Sequence, residues 1–233
     1  RKLMTIRLFK QSGGLAGTKL NCFAATCCAV FACAAPLQAH PHVFVDGGVD
    51  FILSENNMLE ALQVTWVYDA FETLYILSSY EMSLNEDGGL DEETRQKFVQ
   101  LRSTWPSDFD GSAHLFTEGE RVDLKWPSNL DAHLIDGKLQ LTFRRALETP
   151  LDLSRVSTRV AFYESTYFYA FSITKEPQLL GAAETCSASV TPFNPDIQDL
   201  DLKAALAKLG REETPENDQV GALFADRISV TCA

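Results

Sequence analysis

Two histidines and an aspartate lie close together near residue 40 of this 233-residue chain, where residues 40–46 read His-Pro-His-Val-Phe-Val-Asp. Alternate side chains of a β-strand point the same way, so His40, His42 and Asp46 are expected on one face, with the intervening valines in a core. Imidazole and carboxylate donors suit Zn, Ni, Co or Cu(II) better than Mg or Ca. The spacing therefore predicts a transition-metal site, against the plainer alternative of an exposed chain terminus.

The chain has four histidines, and the other two, His114 and His133, each lie in a predicted strand. Convergence of three or four histidines would make a transition-metal site. Ordinary surface or core histidines are the alternative. Glu164, at a turn before the aromatic run 167–171, is a further candidate ligand or a support for one.

A second candidate site is the segment Ser83–Thr94, which scans like a twelve-residue calcium-binding loop with Gly88 at the sixth position. Its candidate ligands are Asn85, Asp87, Asp91 and Glu93. The first and last positions, Ser83 and Thr94, lack the carboxylates that calcium needs, so weak calcium binding is expected. The alternative is a helix–turn–helix whose glycines serve the turn.

The first 39 residues predict export. They contain five basic residues and no acidic residue, and the apolar run from Leu20 to Leu37 precedes a small residue, Ala39. This is the pattern of a secretory signal peptide cleaved after Ala39, which would free an α-amine on His40. An uncleaved membrane anchor and a lipid-modified Cys33 are the alternatives.

Charge and composition narrow the function classes. The net charge is −12, and residues 40–233 contain 15 basic and 32 acidic residues. An acidic surface argues against nucleic acid and against anionic membranes, and it favours cations. The chain has no nucleophile elbow and no phosphate-binding glycine loop, so it is not expected to be an enzyme.

Cysteine usage fits export. Four of the six cysteines lie within residues 1–39, which leaves Cys186 and Cys232. Two cysteines in an oxidising compartment most simply form one disulfide, and two buried free thiols are the alternative.

The hydrophobic pattern predicts a single α+β domain over residues 40–233, built mainly from antiparallel sheet with a helix–loop–helix insert and a C-terminal helix. A hairpin is expected from His42–Leu53 and Leu59–Tyr68, and the pair Asp136-Gly137 predicts another hairpin turn. In the second of these strands, Leu62, Val64, Trp66 and Tyr68 alternate with Gln63, Thr65 and Asp69, as in a half-buried strand. Helices are expected at Ala70–Met82, Asp91–Leu101 and Ile197–Leu209. One face of the first helix is expected to carry Phe71, Leu74, Tyr75, Ser78 and Met82. Further strands are expected at Ala113–Thr117, Arg121–Trp126, Ala132–Ile135, Lys138–Arg144, Arg155–Tyr163, Tyr167–Thr174, Thr185–Thr191 and Arg227–Cys232.

Several segments together resemble one bacterial family. They are His40–Asp46, Trp66–Phe71, Asn85–Leu90, Thr166–Phe168, Gly221–Phe224 and Val230–Cys232. The chain resembles the exported family catalogued as domain of unknown function one thousand and seven, also labelled the periplasmic component of an uncharacterised ABC-type transport system. Members are often encoded near nickel/cobalt-type permeases, which implies a periplasmic role in transition-metal handling. Many members carry a fuller acidic loop than Ser83–Thr94, which weakens an inherited calcium role.

The expectation is therefore a periplasmic accessory protein that binds Zn, Ni, Co or Cu and works with a membrane metal permease or ABC-type transporter. Two alternatives remain. One is a copper enzyme in which the His40 amine and imidazole form a brace. The other is a docking partner of a permease that binds no metal.

Overall fold

The computed structural model describes residues 41–105, 109, 111–181, 185–194 and 219–232. Eleven strands, two α-helices and one 3-10 helix are assigned within them. The strands are β1 (Val43–Leu53), β2 (Met58–Tyr68), β3 (Ala113–Thr117), β4 (Glu120–Arg121), β5 (Ser128–Ile135), β6 (Lys138–Asp152), β7 (Thr158–Phe162), β8 (Tyr169–Ile173), β9 (Leu179–Leu180), β10 (Cys186–Thr191) and β11 (Asp226–Cys232). The helices are α1 (Ala70–Ser79), α2 (Glu92–Arg102) and the 3-10 helix Val220–Phe224.

The first sheet has the strand order β5-β6-β2-β1-β8, and β9 also pairs with β1. Strands β1 and β2 form the predicted hairpin, in which Val49 lies opposite Val64. Strand β8 joins the other side of β1 in parallel, with Val43 opposite Tyr169. The start of β1 is therefore held between two strands.

The second sheet has the order β10-β11-β7-β3-β4, and all of its pairings are antiparallel. Cys186 and Cys232 lie opposite each other on β10 and β11, and a disulfide joins them. The bond links residues 46 positions apart in the sequence. It ties the final strand of the described chain to its neighbour.

The core draws on both sheets. Phe51 and Phe143 of the first sheet and Phe162 and Ile228 of the second are fully buried members of one hydrophobic cluster. On β2, Leu62, Val64, Trp66 and Tyr68 are buried as the alternation predicts, but Thr65 on the opposite face is buried as well. The fold is thus α+β and dominated by antiparallel sheet, as predicted.

The two helices start where aspartates cap them. The carboxylate of Asp69 accepts the Glu72 backbone N–H at 2.8 Å, and Asp91 accepts the N–H groups of Glu93 and Thr94. Such caps satisfy donors that the first helical turn leaves unpaired. No helix among the described residues is long and apolar enough to span a membrane.

Most of the large apolar side chains predicted to share one face of helix α1 are exposed. Thr73 and Ile76 are its buried residues, and the Thr73 hydroxyl accepts the Leu139 backbone N–H at 3.0 Å. By contrast, Phe71 is 88% exposed, and Leu74 and Tyr75 are each 66% exposed. The large apolar side chains form an outward face because a polar contact to β6 holds the opposite side of the helix inward.

Some predicted boundaries also differ. The strand predicted at Arg121–Trp126 shortens to Glu120–Arg121, whereas β6 continues beyond Arg144 to Asp152. Strand β9 and the 3-10 helix were not predicted. Residues 1–40, which include the expected signal peptide and His40, and the expected helix Ile197–Leu209 lie outside the described residues.

Candidate functional site

His42 is held at the start of β1 by the segment that leads into β8. Its backbone N–H donates to the Phe168 carbonyl at 2.9 Å, and the imidazole ring lies 4.8 Å from the Phe168 ring. Val43 and Val45 are buried, while Phe44 is 56% exposed. The side chains of β1 therefore alternate as the sequence indicated, and the half-buried His42 lies at the end of the sheet.

Asp46 lies further along β1 and is half-exposed. Its Oδ2 is 3.8 Å from the Lys138 ammonium group at the start of β6. Four strands separate the pair in sequence, but β2 alone lies between them in the sheet. An exposed ion pair of this kind contributes little to stability, so it leaves the carboxylate available to other cations.

Glu164 organises a turn, Tyr163–Tyr169, which we call the 163–169 turn. Its carboxylate accepts the Thr166 backbone N–H at 2.8 Å, the Thr166 hydroxyl at 2.9 Å and the Phe168 N–H at 2.9 Å. Tyr167 has a positive φ of 63° within this turn. Hydrogen bonds to a carboxylate are stronger than neutral ones, so Glu164 fixes the backbone on which His42 rests.

The 3-10 helix covers the other side of the 163–169 turn. The Gly221 N–H donates to the Ser165 carbonyl at 2.9 Å, and a Cβ at Gly221 would lie 1.8 Å from the Glu164 carbonyl oxygen. The rings of Tyr167 and Phe224 stack with centroids 4.2 Å apart. Only glycine allows this approach, which gives a structural reason for the glycine in the segment Gly221–Phe224.

His114 lies on β3 in the interior and is 1% exposed. Its Nε2 is 3.1 Å from the Tyr163 carbonyl oxygen, and its ring stacks on Tyr163 with centroids 3.8 Å apart. Three predicted ligands, His42, His114 and Glu164, thus contact or belong to the 163–169 turn, although they meet different parts of it.

His133 lies elsewhere. It is on β5, the edge of the first sheet opposite β8, and its Nε2 is 3.1 Å from Asp131 Oδ2. Asp131 also pairs with Arg95 of α2. Burial raises the pKa of Asp131, but the Ala132 N–H and His133 lower it more, so the net shift is downward. The fold does not bring His133 to the start of β1.

No three His, Cys, Asp or Glu side chains within the described ranges are close enough together to hold a metal ion. His40 lies outside those ranges. The absence of such a group therefore does not test the chelate predicted from His40 and His42. The contribution of His40 to a metal site remains a prediction.

The calcium-like segment is a tight loop between α1 and α2. The Asn85 side-chain oxygen accepts the N–H groups of Asp87 and Gly89 at 3.0 and 2.9 Å, and Asp91 caps α2. A short bridge joins Leu84 to Leu90. The side-chain oxygens of Asn85 and Asp91 thus already accept hydrogen bonds from backbone N–H groups of this segment. The carboxylates of Asp87 and Glu93 are exposed and accept none of these hydrogen bonds.

A cavity of about 730 Å³ lies beside the 163–169 turn and was not predicted. Its wall includes Trp66, Tyr68, Tyr80, Arg102, Trp105 and Tyr169. The available signal was the aromatic run 167–171. Sequence alone could not show that it meets aromatic residues of β2 and cationic Arg102 of α2, because those elements are remote along the chain.

Burial sets the electrostatics of this cavity. It raises the pKa of the Tyr68 hydroxyl well above its usual value, despite the opposing effect of Arg102. Burial alone would lower the pKa of Arg102, but Tyr68 and Tyr80 raise it more, so the guanidinium stays charged. The pKa of Glu72 is raised by burial and by Asp69, and Arg102 offsets part of that rise.

The whole described region matches one known family. Residues 24–232 match the family described as protein of unknown function (DUF1007). The chain belongs to this family. It is also similar to an uncharacterized protein of Haemophilus influenzae strain Rd, with 23% identity over 203 residues that cover 83% of this chain and 91% of the relative. The sequence resemblance is thereby confirmed.

Proposed function

We propose that this member of the DUF1007 family is an exported accessory protein that binds Zn, Ni, Co or Cu(II) and works with a membrane metal transporter. The proposed first ligands are the imidazoles of His40 and His42, together with the α-amine that cleavage after Ala39 would free. Amine and imidazole nitrogens suit these metals.

The observation that carries this proposal is the contact between His42 and Phe168. A ligand held in place by a hydrogen-bonded backbone and a packed ring loses less conformational entropy when it binds a metal. The Glu164 carboxylate fixes the same turn through three short hydrogen bonds. The proposed site therefore rests on a rigid support at its His42 end.

The overall charge supports a cationic cargo. The net charge of −12 raises the local concentration of cations near the surface. Metal affinity should fall as the pH drops, because imidazole and amine must be deprotonated to bind.

The exposed face of α1 supports a protein partner. Phe71, Leu74 and Tyr75 present large apolar side chains to solvent, and such patches commonly mark interaction sites. We assign this face to contact with the transporter.

The test is calorimetric titration of zinc and of nickel into tag-free protein that begins at His40. We expect His42→Ala to weaken affinity at least tenfold and His40→Ala/His42→Ala to abolish specific binding. His133→Ala is the matched control and should bind as wild type does. A double variant with wild-type affinity would refute this site.

A second preparation tests the amine. Protein extended at its N-terminus by Gln38 and Ala39 has no free amine at His40, so it should bind more weakly than protein that begins at His40. Equal affinity would remove the amine from the ligand set. Fractionation of cells that express the full chain would show whether the processed protein is periplasmic.

A further inference from the structure

The aromatic cavity beside the 163–169 turn contains a cation, Arg102, which interacts electrostatically with Glu72 without forming an ion pair with it. Arg102 is half-buried, and it forms no ion pair with any carboxylate in the described part of the chain. Its Nη1 lies 3.5 Å from the Tyr80 hydroxyl, a long contact, and it also interacts with the Tyr68 hydroxyl. A guanidinium has five N–H donors, so two hydroxyl groups leave much of its capacity unused.

An unpaired, partly desolvated arginine is unfavourable unless a ligand supplies the counter-charge. The chain has 32 Asp and Glu residues, yet none of the described carboxylates forms an ion pair with Arg102. The carboxylate that lines the cavity, Glu164, is already occupied by Thr166 and Phe168 of its own turn. The cavity is therefore electrostatically suited to an anion at Arg102.

Aromatic side chains form much of the remaining wall, which Thr104, Ser112, Ser165 and Thr166 also line. The Trp66 ring is 6.4 Å from the Trp105 ring, and Phe171 is 5.4 Å from Trp66. Trp66 is 6% exposed, and its buried indole N–H has no acceptor among the described residues. A volume of about 730 Å³ lies within the usual range of small-molecule sites. A guanidinium beside aromatic side chains favours a ligand that has both an anionic end and an apolar body.

We propose that this cavity binds a small organic carboxylate with an apolar or aromatic body, whose carboxylate pairs with Arg102 and whose body packs against Trp66 and Trp105. The planar guanidinium matches a carboxylate through two parallel hydrogen bonds. This inference is independent of the metal site at His40 and His42.

The wild-type protein allows a direct test, because two of its three tryptophans line the cavity and the third, Trp126, is 54% exposed and lies outside it. Trp126→Phe removes the background signal. In this variant, with a chelator present, tryptophan fluorescence is followed during titration with 3-phenylpropionate. Titrations with 3-phenylpropanamide, 3-phenylpropylammonium and acetate provide matched comparisons for charge and for the apolar body.

We expect saturable binding of 3-phenylpropionate, with the amide and the ammonium compound at least tenfold weaker and acetate weaker still. Equal binding of the neutral amide would show that the cavity selects only for shape. No saturable binding of 3-phenylpropionate up to millimolar concentration would also overturn the proposal. Since a chelator is present throughout, either failure leaves the metal titrations unaffected.

Variants of Arg102 test whether its guanidinium binds the carboxylate of the ligand. Arg102→Met should lower affinity for 3-phenylpropionate at least tenfold while leaving that for the amide unchanged. Arg102→Lys should give an intermediate loss, because it keeps the charge and loses the forked geometry. Arg121→Met, an exposed arginine on β4, is the control and should bind as wild type does. If Arg102→Met does not fold, the lysine variant and the comparison of carboxylate with amide still decide the question.

Discussion

The backbone N–H of His42 donates to the carbonyl oxygen of Phe168 at 2.9 Å, and the rings of these two residues lie 4.8 Å apart. Phe168 thus contacts both the backbone and the ring of a proposed metal ligand. Residues that orient a ligand typically affect metal affinity strongly when they are changed.

Phe168→Ala should therefore weaken zinc affinity about tenfold, because the imidazole of His42 loses the ring against which it packs. The measurement is calorimetric titration of protein that begins at His40. Phe71→Ala removes an exposed phenylalanine on α1 and is the control. If both variants bind zinc as wild type does, the support of His42 by Phe168 has no role in metal binding.

Gly221→Ala should destabilise the protein by about 1–3 kcal/mol, the usual cost of overpacking. The added methyl would meet the backbone carbonyl of Glu164 at 1.8 Å, and backbone cannot move aside as a flexible side chain can. Chemical denaturation measures this loss. Gly89→Ala is the control, since its Cβ would lie 3.4 Å from the nearest atom, a side-chain nitrogen of Asn85. Equal losses in the two variants would argue against a special close approach at Gly221.

Local patterns in the sequence predicted much of the fold. The pair Asp136-Gly137 predicted a hairpin, and both residues have positive φ, 51° and 73°, between β5 and β6. Period-two alternation located β2, and two cysteines located the disulfide. Each of these signals lies within a few residues or depends on residue type alone.

Features that depend on tertiary contacts were missed. Helical periodicity grouped Phe71, Leu74 and Tyr75 on one face, but it could not show that this face is exposed. The 163–169 turn brings together residues from positions 42, 114, 164 and 221. No local pattern encodes that meeting, because it depends on how the two sheets pack. For the same reason, the aromatic run 167–171 could not by itself reveal the cavity at Arg102.

The exposed face of α1 is expected to contribute much less to stability than the buried face of the same helix. Ile76→Ala should cost about 2–5 kcal/mol, because Ile76 is 6% exposed and belongs to the core. Phe71→Ser and Leu74→Ser should change the free energy of unfolding by less than about 0.5 kcal/mol. Chemical denaturation compares the three variants. A large loss in the serine variants would mean that this face packs against part of the chain.

The disulfide predicts sensitivity to reduction. Closing a separation of 46 residues should contribute about 4 kcal/mol in the chain-entropy model. Cys186→Ser/Cys232→Ser should therefore lower the free energy of unfolding by roughly that amount. Denaturation of the double variant, compared with reduced and oxidised wild type, measures it. A reduced wild type as stable as the oxidised form would show that the strands alone hold β11.

Glu92 predicts a specific response to acid. Hydrogen bonds from Arg95 and Gln96 lower the pKa of this carboxyl from 4.5 to about 2. A carboxyl with a lowered pKa in the folded state stabilises the protein above its unfolded pKa, and that contribution is lost as the pH falls toward the folded pKa. Glu92→Gln should therefore have a slightly lower Tm than wild type at pH 7, and the difference should vanish near pH 2.

Glu55→Gln, in the turn after β1, controls for the change in net charge. Because Glu92 is exposed, the expected effect is small, and raising the salt concentration at pH 7 should reduce it further. A difference in Tm that persists unchanged from pH 7 to pH 2 would contradict the assignment of this ion pair.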